Sequence, residues 1–104
     1  MQILVNTDHH ITGREQLTTE VEGVVEDAVG HFRDQITRVE VHLNDVNSQK
    51  SGPEDKRCMM EARIEGHQPV AVTHLAETLA FAMDGAGDKL KAALAHTLGR
   101  LDRH

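Results

Sequence analysis

The stretch Pro69–Leu90, PVAVTHLAETLAFAMDGAGDKL, passes from a short valine-rich strand into a long amphipathic helix. Pro69-Val70-Ala71-Val72-Thr73 carries the strand formers. Advancing about 100° per residue through the helical part sorts the side chains into three stripes. Leu75, Leu79, Ala82, Met83, Ala86, Leu90, Ala93, Leu94, Thr97 and Leu101 share one side, the side to be buried. Glu77, Asp84, Asp88 and Asp102 gather near the opposite side. Between them Lys89, His96, Arg100 and Arg103 fall at spacings of seven, four and three, along one edge of the buried face. A basic edge beside a core is where a groove for phosphates would lie.

Toward the amino terminus the period changes three more times. Residues 2–7 read as a strand with Ile3 and Val5 on one face. Thr12 followed by Glu15 is a capping-box signal, and after it Leu17, Val21, Val24, Val25, Ala28, Val29 and Phe32 keep a helical period to about residue 32. Val39, Val41 and Leu43 then alternate with Arg38, Glu40, His42 and Asn44, the pattern of a half-exposed strand. Residues 45–55, rich in Asn, Ser, Gly and Pro, read as a connection without periodic structure. A third strand over about 56–66 puts Cys58, Met60, Ala62 and Ile64 inward, and Gly66-His67-Gln68-Pro69 turns the chain into the fourth. The order is βαβββα. Two amphipathic helices and one apolar sheet face predict an α+β two-layer sandwich, a four-stranded sheet with both helices on one face.

The chain has 104 residues, and 1–104 reads as a single domain of ordinary size without internal repeat. With 38% hydrophobic and 27% charged residues it has the composition of a folded globular protein rather than a disordered one. No run of about 18 apolar residues is present and the opening segment lacks a basic start, so neither membrane nor secretion is expected and the cytoplasm is. Phe32 and Phe81 are the only aromatic residues, too few to stack unpaired bases.

Catalytic and metal-binding constellations are lacking in the pattern. The single cysteine, Cys58, shares a face with Met60, Ala62 and Ile64 and reads as a small buried hydrophobe, not a nucleophile. His9-His10 is the nearest approach to a metal motif, but adjacent residues on an extended segment point apart and no third ligand stands at zinc spacing. Asp84 and Asp88 are four apart on a face expected to meet water, where no acid–base role arises, and Asp88 is within reach of Lys91. Ser48 and Ser51 lie in the loop, away from any nucleophile-elbow context. No enzyme, cofactor or metal is expected.

The residues also carry a family resemblance. Met1-Gln2-Ile3, the helix entry His10-Ile11-Thr12, Val39-x-Val41-x-Leu43 and above all Ala82-Met83-Asp84-x-x-x-Asp88-Lys89-Leu90 resemble the ribosome hibernation-promoting and ribosome-associated inhibitor family over nearly the whole chain. The resemblance implies a βαβββα domain akin to a double-stranded-RNA-binding domain, without the additional dimerisation domain of long members. It implies binding to the small ribosomal subunit and its ribosomal RNA near the decoding and tRNA sites. Translation would thereby be blocked in stressed or stationary bacteria, and some members pair ribosomes into inactive dimers. By itself the edge of Lys89, His96, Arg100 and Arg103 would read as a solvated flank offsetting the helix dipole; the resemblance makes these residues the RNA-binding candidates, with Lys56 and Arg57 beside the loop as secondary ones. Where members usually continue this helix with Arg and Lys, the chain has Ala92, His96 and Leu98, and Ala80 stands where a Tyr is common.

Formal charge is −6, but it is unevenly spread. Residues 1–50 hold nine acidic and four basic side chains, a net of −5, against eight and seven, a net of −1, in residues 51–104. From Lys89 onward four Lys or Arg face Asp102 alone. Screening over roughly 8 Å in physiological salt lets such a polarised chain hold RNA phosphates at one end. The competing class is an acidic protein-interaction module on the same fold, a homodimer through a sheet edge or the outer sheet face. DNA is not an expected partner.

Overall fold

A computed structural model describes residues 1–8, 14–45 and 56–101. The expected order is realised: strand β1 (Gln2–Thr7), helix α1 (Arg14–Val29), β2 (Ile36–Asp45), β3 (Lys56–Ile64), β4 (Val70–Ala76) and α2 (Leu79–Leu101). The strands lie in the order β1-β2-β3-β4, with β1 parallel to β2 and the other pairs antiparallel. Parallel neighbours cannot be joined by a tight turn, so α1 serves as the crossover that carries the chain back to the start of β2. The capping-box residue Thr12 and the pair His9-His10 lie outside the described residues.

One apolar cluster fills the space between sheet and helices. Val39, Val41 and Leu43 of β2 and Cys58, Met60 and Ala62 of β3 are fully buried, as the period-two pattern requires. Val21, Val25 and Val29 from α1, with Met83, Leu90, Leu94 and Leu98 from α2, close over them. Truncating any of these leucines to alanine would cost about 2–5 kcal/mol in lost burial and residual cavity.

Four local expectations are corrected. Helix α1 ends at Val29, not near 32; Gly30, at φ 27°, opens a 3-10 helix over Gly30–Gln35 that still tucks Phe32 against the core. Period two alone misses Ile36, because a bulge between Ile36 and Arg38 lets Ile36 and Val39, three apart, both face inward. β4 runs on to Ala76, so Leu75 belongs to a strand and is 42% exposed, and Glu77 precedes the helix. Thr78 starts α2: its Oγ1 accepts the Phe81 N–H at 3.1 Å and its carbonyl the Ala82 N–H at 2.9 Å. Finally Leu98, outside the expected apolar stripe, is buried. The buried stripe rotates slightly along this long helix, since 3.6 does not divide the apolar repeat evenly.

The β3–β4 turn uses Gly66 at φ 77°, and His67 N–H closes it on the Ile64 carbonyl at 3.2 Å. A second glycine matters for packing. His74 points from β4 toward α2, and a Cβ on Gly85 would clash with its imidazole ring, so the helix lies this close to the strand because residue 85 has no side chain. Gly23 in α1, by contrast, has open space in front of it. Gly85→Ala is therefore expected to lower stability by about 1–3 kcal/mol through overpacking, with His74→Ala, Gly85→Ala recovering most of the loss. Gly23→Ala is expected to raise it by about 0.5–1 kcal/mol. Urea denaturation of the four proteins checks both signs.

A candidate nucleic-acid interface on one flank of the second helix

The buried side of α2 sets where its charges go. With Met83, Leu90 and Leu94 seated on β3 and β4, one flank of the helix overhangs β4, the edge strand, and the other meets α1. Lys89 lies on the β4 flank, where its ammonium donates a hydrogen bond to the Thr73 carbonyl at 2.8 Å. An ammonium has three donors, so two are left for other acceptors. His96, two turns further on, is exposed. Arg100 occupies the last turn of α2; its side chain, and Arg103 altogether, lie outside the described residues.

The two secondary candidates do not act together. Strand alternation sends Lys56 to the helix side of the sheet and Arg57 to the open side. Lys56 is half-buried with its Nζ 3.5 Å from Asp45 Oδ2, and the Asp45 N–H donates to Asp8 Oδ2 at 3.0 Å. That acidic corner offsets its charge. Arg57 is exposed on the open face, opposite Asn44 on β2 and Leu75 on β4.

Register brings together residues that no spacing along the chain would pair. Arg38 and Arg63 stand directly opposite across β2 and β3, and so do Glu40 and Glu61. Like charges opposed in this way repel. The relief runs along each strand instead, Arg38 to Glu40 at 3.8 Å and Arg63 to Glu61 at 3.6 Å. The four charges sum to zero, so this part of the open face attracts neither anion nor cation strongly. Their adjacency depends on the strand pairing, which no periodicity encodes.

The acidic stripe meets water as expected, and packing adds neighbours to it. Asp84 and Asp88 are exposed, but they line the seam between α1 and α2 together with Asp27. No ion pair within 4 Å joins Lys91 to either of them. Among the described residues no group of three His, Cys, Asp or Glu side chains is placed to hold a metal ion, and no helix is long and apolar enough to cross a membrane. Cys58 is sealed in the core, and burial pushes its thiol up from 9.0 to about 12. A thiol so raised is protonated at neutral pH and is a poor nucleophile.

The sequence matches the family model described as Sigma 54 modulation protein / S30EA ribosomal protein over residues 4–102. Among solved structures the fold is similar to a ribosomal subunit interface protein from Coxiella burnetii, with a TM-score of 0.77 and 15% identity, covering 95% of this chain and 99% of that one. It is similar also to the N-terminal domain of Thermus thermophilus Protein Y, with a TM-score of 0.74 and 18% identity, covering 92% and 98%. At such identities the likeness is one of fold. No curated protein matches the chain.

The buried thiol gives a pH prediction. Its folded pKa is raised above the unfolded value, and the acid is neutral when protonated. The folded state therefore holds the proton longer, and the thiol's contribution is intact below pH 9 and lost as pH rises toward 12. Stability is expected to fall with pH across that window by up to about 1.4 kcal/mol per unit from this group. Cys58→Ala should flatten that slope in alkaline denaturation curves. At pH 8 a thiol reagent should label Cys58 only after urea unfolding.

Proposed function

The chain belongs to the Sigma 54 modulation protein / S30EA ribosomal protein family, a family of ribosome-associated proteins, and we propose that it occupies the small ribosomal subunit through ribosomal RNA, excluding tRNA and mRNA. The mechanism is occupancy rather than chemistry, exercised in the cytoplasm when translation is held down under stress or in stationary phase. One observation supports the reading: Lys89 of α2 lies on the flank over β4 while Asp84 and Asp88 lie at the seam with α1, beside Lys91, and the sequence spacing carries His96, Arg100 and Arg103 along the Lys89 edge.

Distances make that segregation effective. Asp88 and Arg100 are separated along the helix axis by about 18 Å at 1.5 Å per residue. This is more than twice the roughly 8 Å screening length in physiological salt, so the carboxylates of the seam barely lower the potential at the far end of the flank. Lys89 is already held by its bond to the Thr73 carbonyl, which reduces the side-chain entropy to be lost when a phosphate oxygen takes a second donor. Lys89, His96, Arg100 and Arg103 are the phosphate-contacting residues of this reading, with Arg57, on the open face of β3, as a secondary one. Lys56, paired with Asp45, contributes little.

The expected behaviour is salt-sensitive co-sedimentation with the small subunit from stationary-phase cells. With about three to four phosphate contacts, affinity should fall roughly 40- to 150-fold between 50 and 200 mM salt. Arg100→Glu with Arg103→Glu should abolish co-sedimentation, while Lys56→Gln should leave it nearly unchanged. Wild-type protein that stays at the top of every gradient, or a charge-reversed protein that still sediments, would turn the assignment toward an acidic interaction module that pairs with protein instead.

A further inference from the structure

The seam between α1 and α2 is an open trough, and its form and charge match a partner other than RNA. Its middle section, about 360 Å³, is lined by Val24, Ala28 and Gly87, by the carboxylates of Asp27, Asp84 and Asp88, and, as the single cation among the described residues, by Lys91. Adjoining spaces of about 490 and 290 Å³ share Asp27 with it and extend it toward Glu20 at one end and Phe32 at the other. Between Ala80 and Ala95 the α2 wall is about 22 Å long, the length of some six or seven residues of extended chain.

The trough exists because the side chains on its floor are small. A Cβ on Gly87 would sit 2.8 Å from Val24 Cγ1, so the helices come too close there for a side chain on residue 87, and nothing stands in front of Gly23. Its walls carry an excess of negative charge that Lys91 offsets only in part. Asp27, Asp84 and Asp88 come from two helices and line one space, with Glu20 in the adjoining one, and none of the four has an ion-pair partner within 4 Å among the described residues. Glu26, nearby, is taken by Arg33. Asp84 and Asp88 are four apart on one helix, an arrangement of like charges that by itself disfavours the helix.

Three kinds of occupant can be weighed. A phosphate backbone would meet carboxylates on both sides and be repelled. A bound divalent ion needs several oxygens within coordination distance of one point, and no three described carboxylates converge in that way. Lysine and arginine side chains fit both parts of the trough, since their methylene stems can lie on Val24 and Ala28 while their charged heads reach the walls. We propose that the α1–α2 trough docks an extended lysine- and arginine-rich segment of a ribosomal protein, while the opposite flank of α2 holds ribosomal RNA. The inference rests on the ribosome reading for the source of the segment. The chemistry of the trough rests on its own carboxylates.

The test uses the full chain with Asp27→Asn, Asp84→Asn, Asp88→Asn beside wild type, and a fluorescent eight-residue peptide alternating Arg and Ala, with its Gln-for-Arg counterpart as control. Wild type should bind the Arg peptide alone, more weakly as salt rises, and the variant should bind it at least tenfold more weakly. The variant should unfold at no lower urea concentration than wild type, since neutral walls remove repulsion, and this separates loss of the trough from loss of the fold. Equal peptide binding by the two proteins, or competition by 1 mM Mg²⁺ that abolishes binding, overturns the proposal. Sedimentation separates the two readings. If wild type and variant co-sediment equally with the small subunit, the trough assignment fails and the ribosome reading stands. If neither sediments, the ribosome reading fails, the proposed source fails with it, and the peptide result decides the chemistry of the trough alone.

Discussion

The docking of α2 onto β3 and β4 is the constraint that sets the functional layout. Met83, Leu90, Leu94 and Leu98 must be withdrawn from water together, and the sheet offers one apolar face to receive them. Once those side chains are seated, the rotation of the helix about its axis is fixed. Lys89 can then only overhang β4, and Asp84 and Asp88 can only look toward α1. Gly85 lets the backbone come down onto His74, and Gly87 does the same against Val24, so the helix is held close on both sides by the absence of side chains. A rotation of one residue would carry the charges into the core.

That arrangement reconciles an acidic composition with an anionic partner. The net charge of −6 describes the chain as a whole, but phosphates respond to the potential within about a screening length. Lys89 over β4 and Asp84 and Asp88 at the seam put unlike charges on different flanks of α2, with Lys91 beside the carboxylates. The buried Cys58 and the charge-neutral group of Arg38, Glu40, Glu61 and Arg63 leave the remaining surfaces without comparable demands.

Much of the fold was legible in the chain because burial has a period. Val39, Val41 and Leu43, or Cys58, Met60 and Ala62, alternate because a strand shows its faces in turn. Val21, Val25 and Val29 repeat at four because a helix does. Expectation and structure part where elements end or irregularity enters. Leu75 satisfies a helical stripe as well as a strand, Ile36 needs a bulge, and Phe32 packs from a 3-10 turn. Leu98 lies at the drifting end of a long stripe, where small errors in the assumed turn angle accumulate.

The elements, their order, the sheet's buried face, the inert place of Cys58 and the position of Lys89 beside the buried stripe of α2 are all written in the chain. Each depends on near neighbours, where repeating geometry turns spacing into position. Packing was needed to show that Lys56 faces Asp45, that Arg38 meets Arg63, that Lys89 is tied to Thr73, and that Asp27 joins Asp84 and Asp88 across a trough. Those pairings join residues far apart in the chain. They arise from strand register and from how closely two helices approach, and both are set by the packing of the whole core.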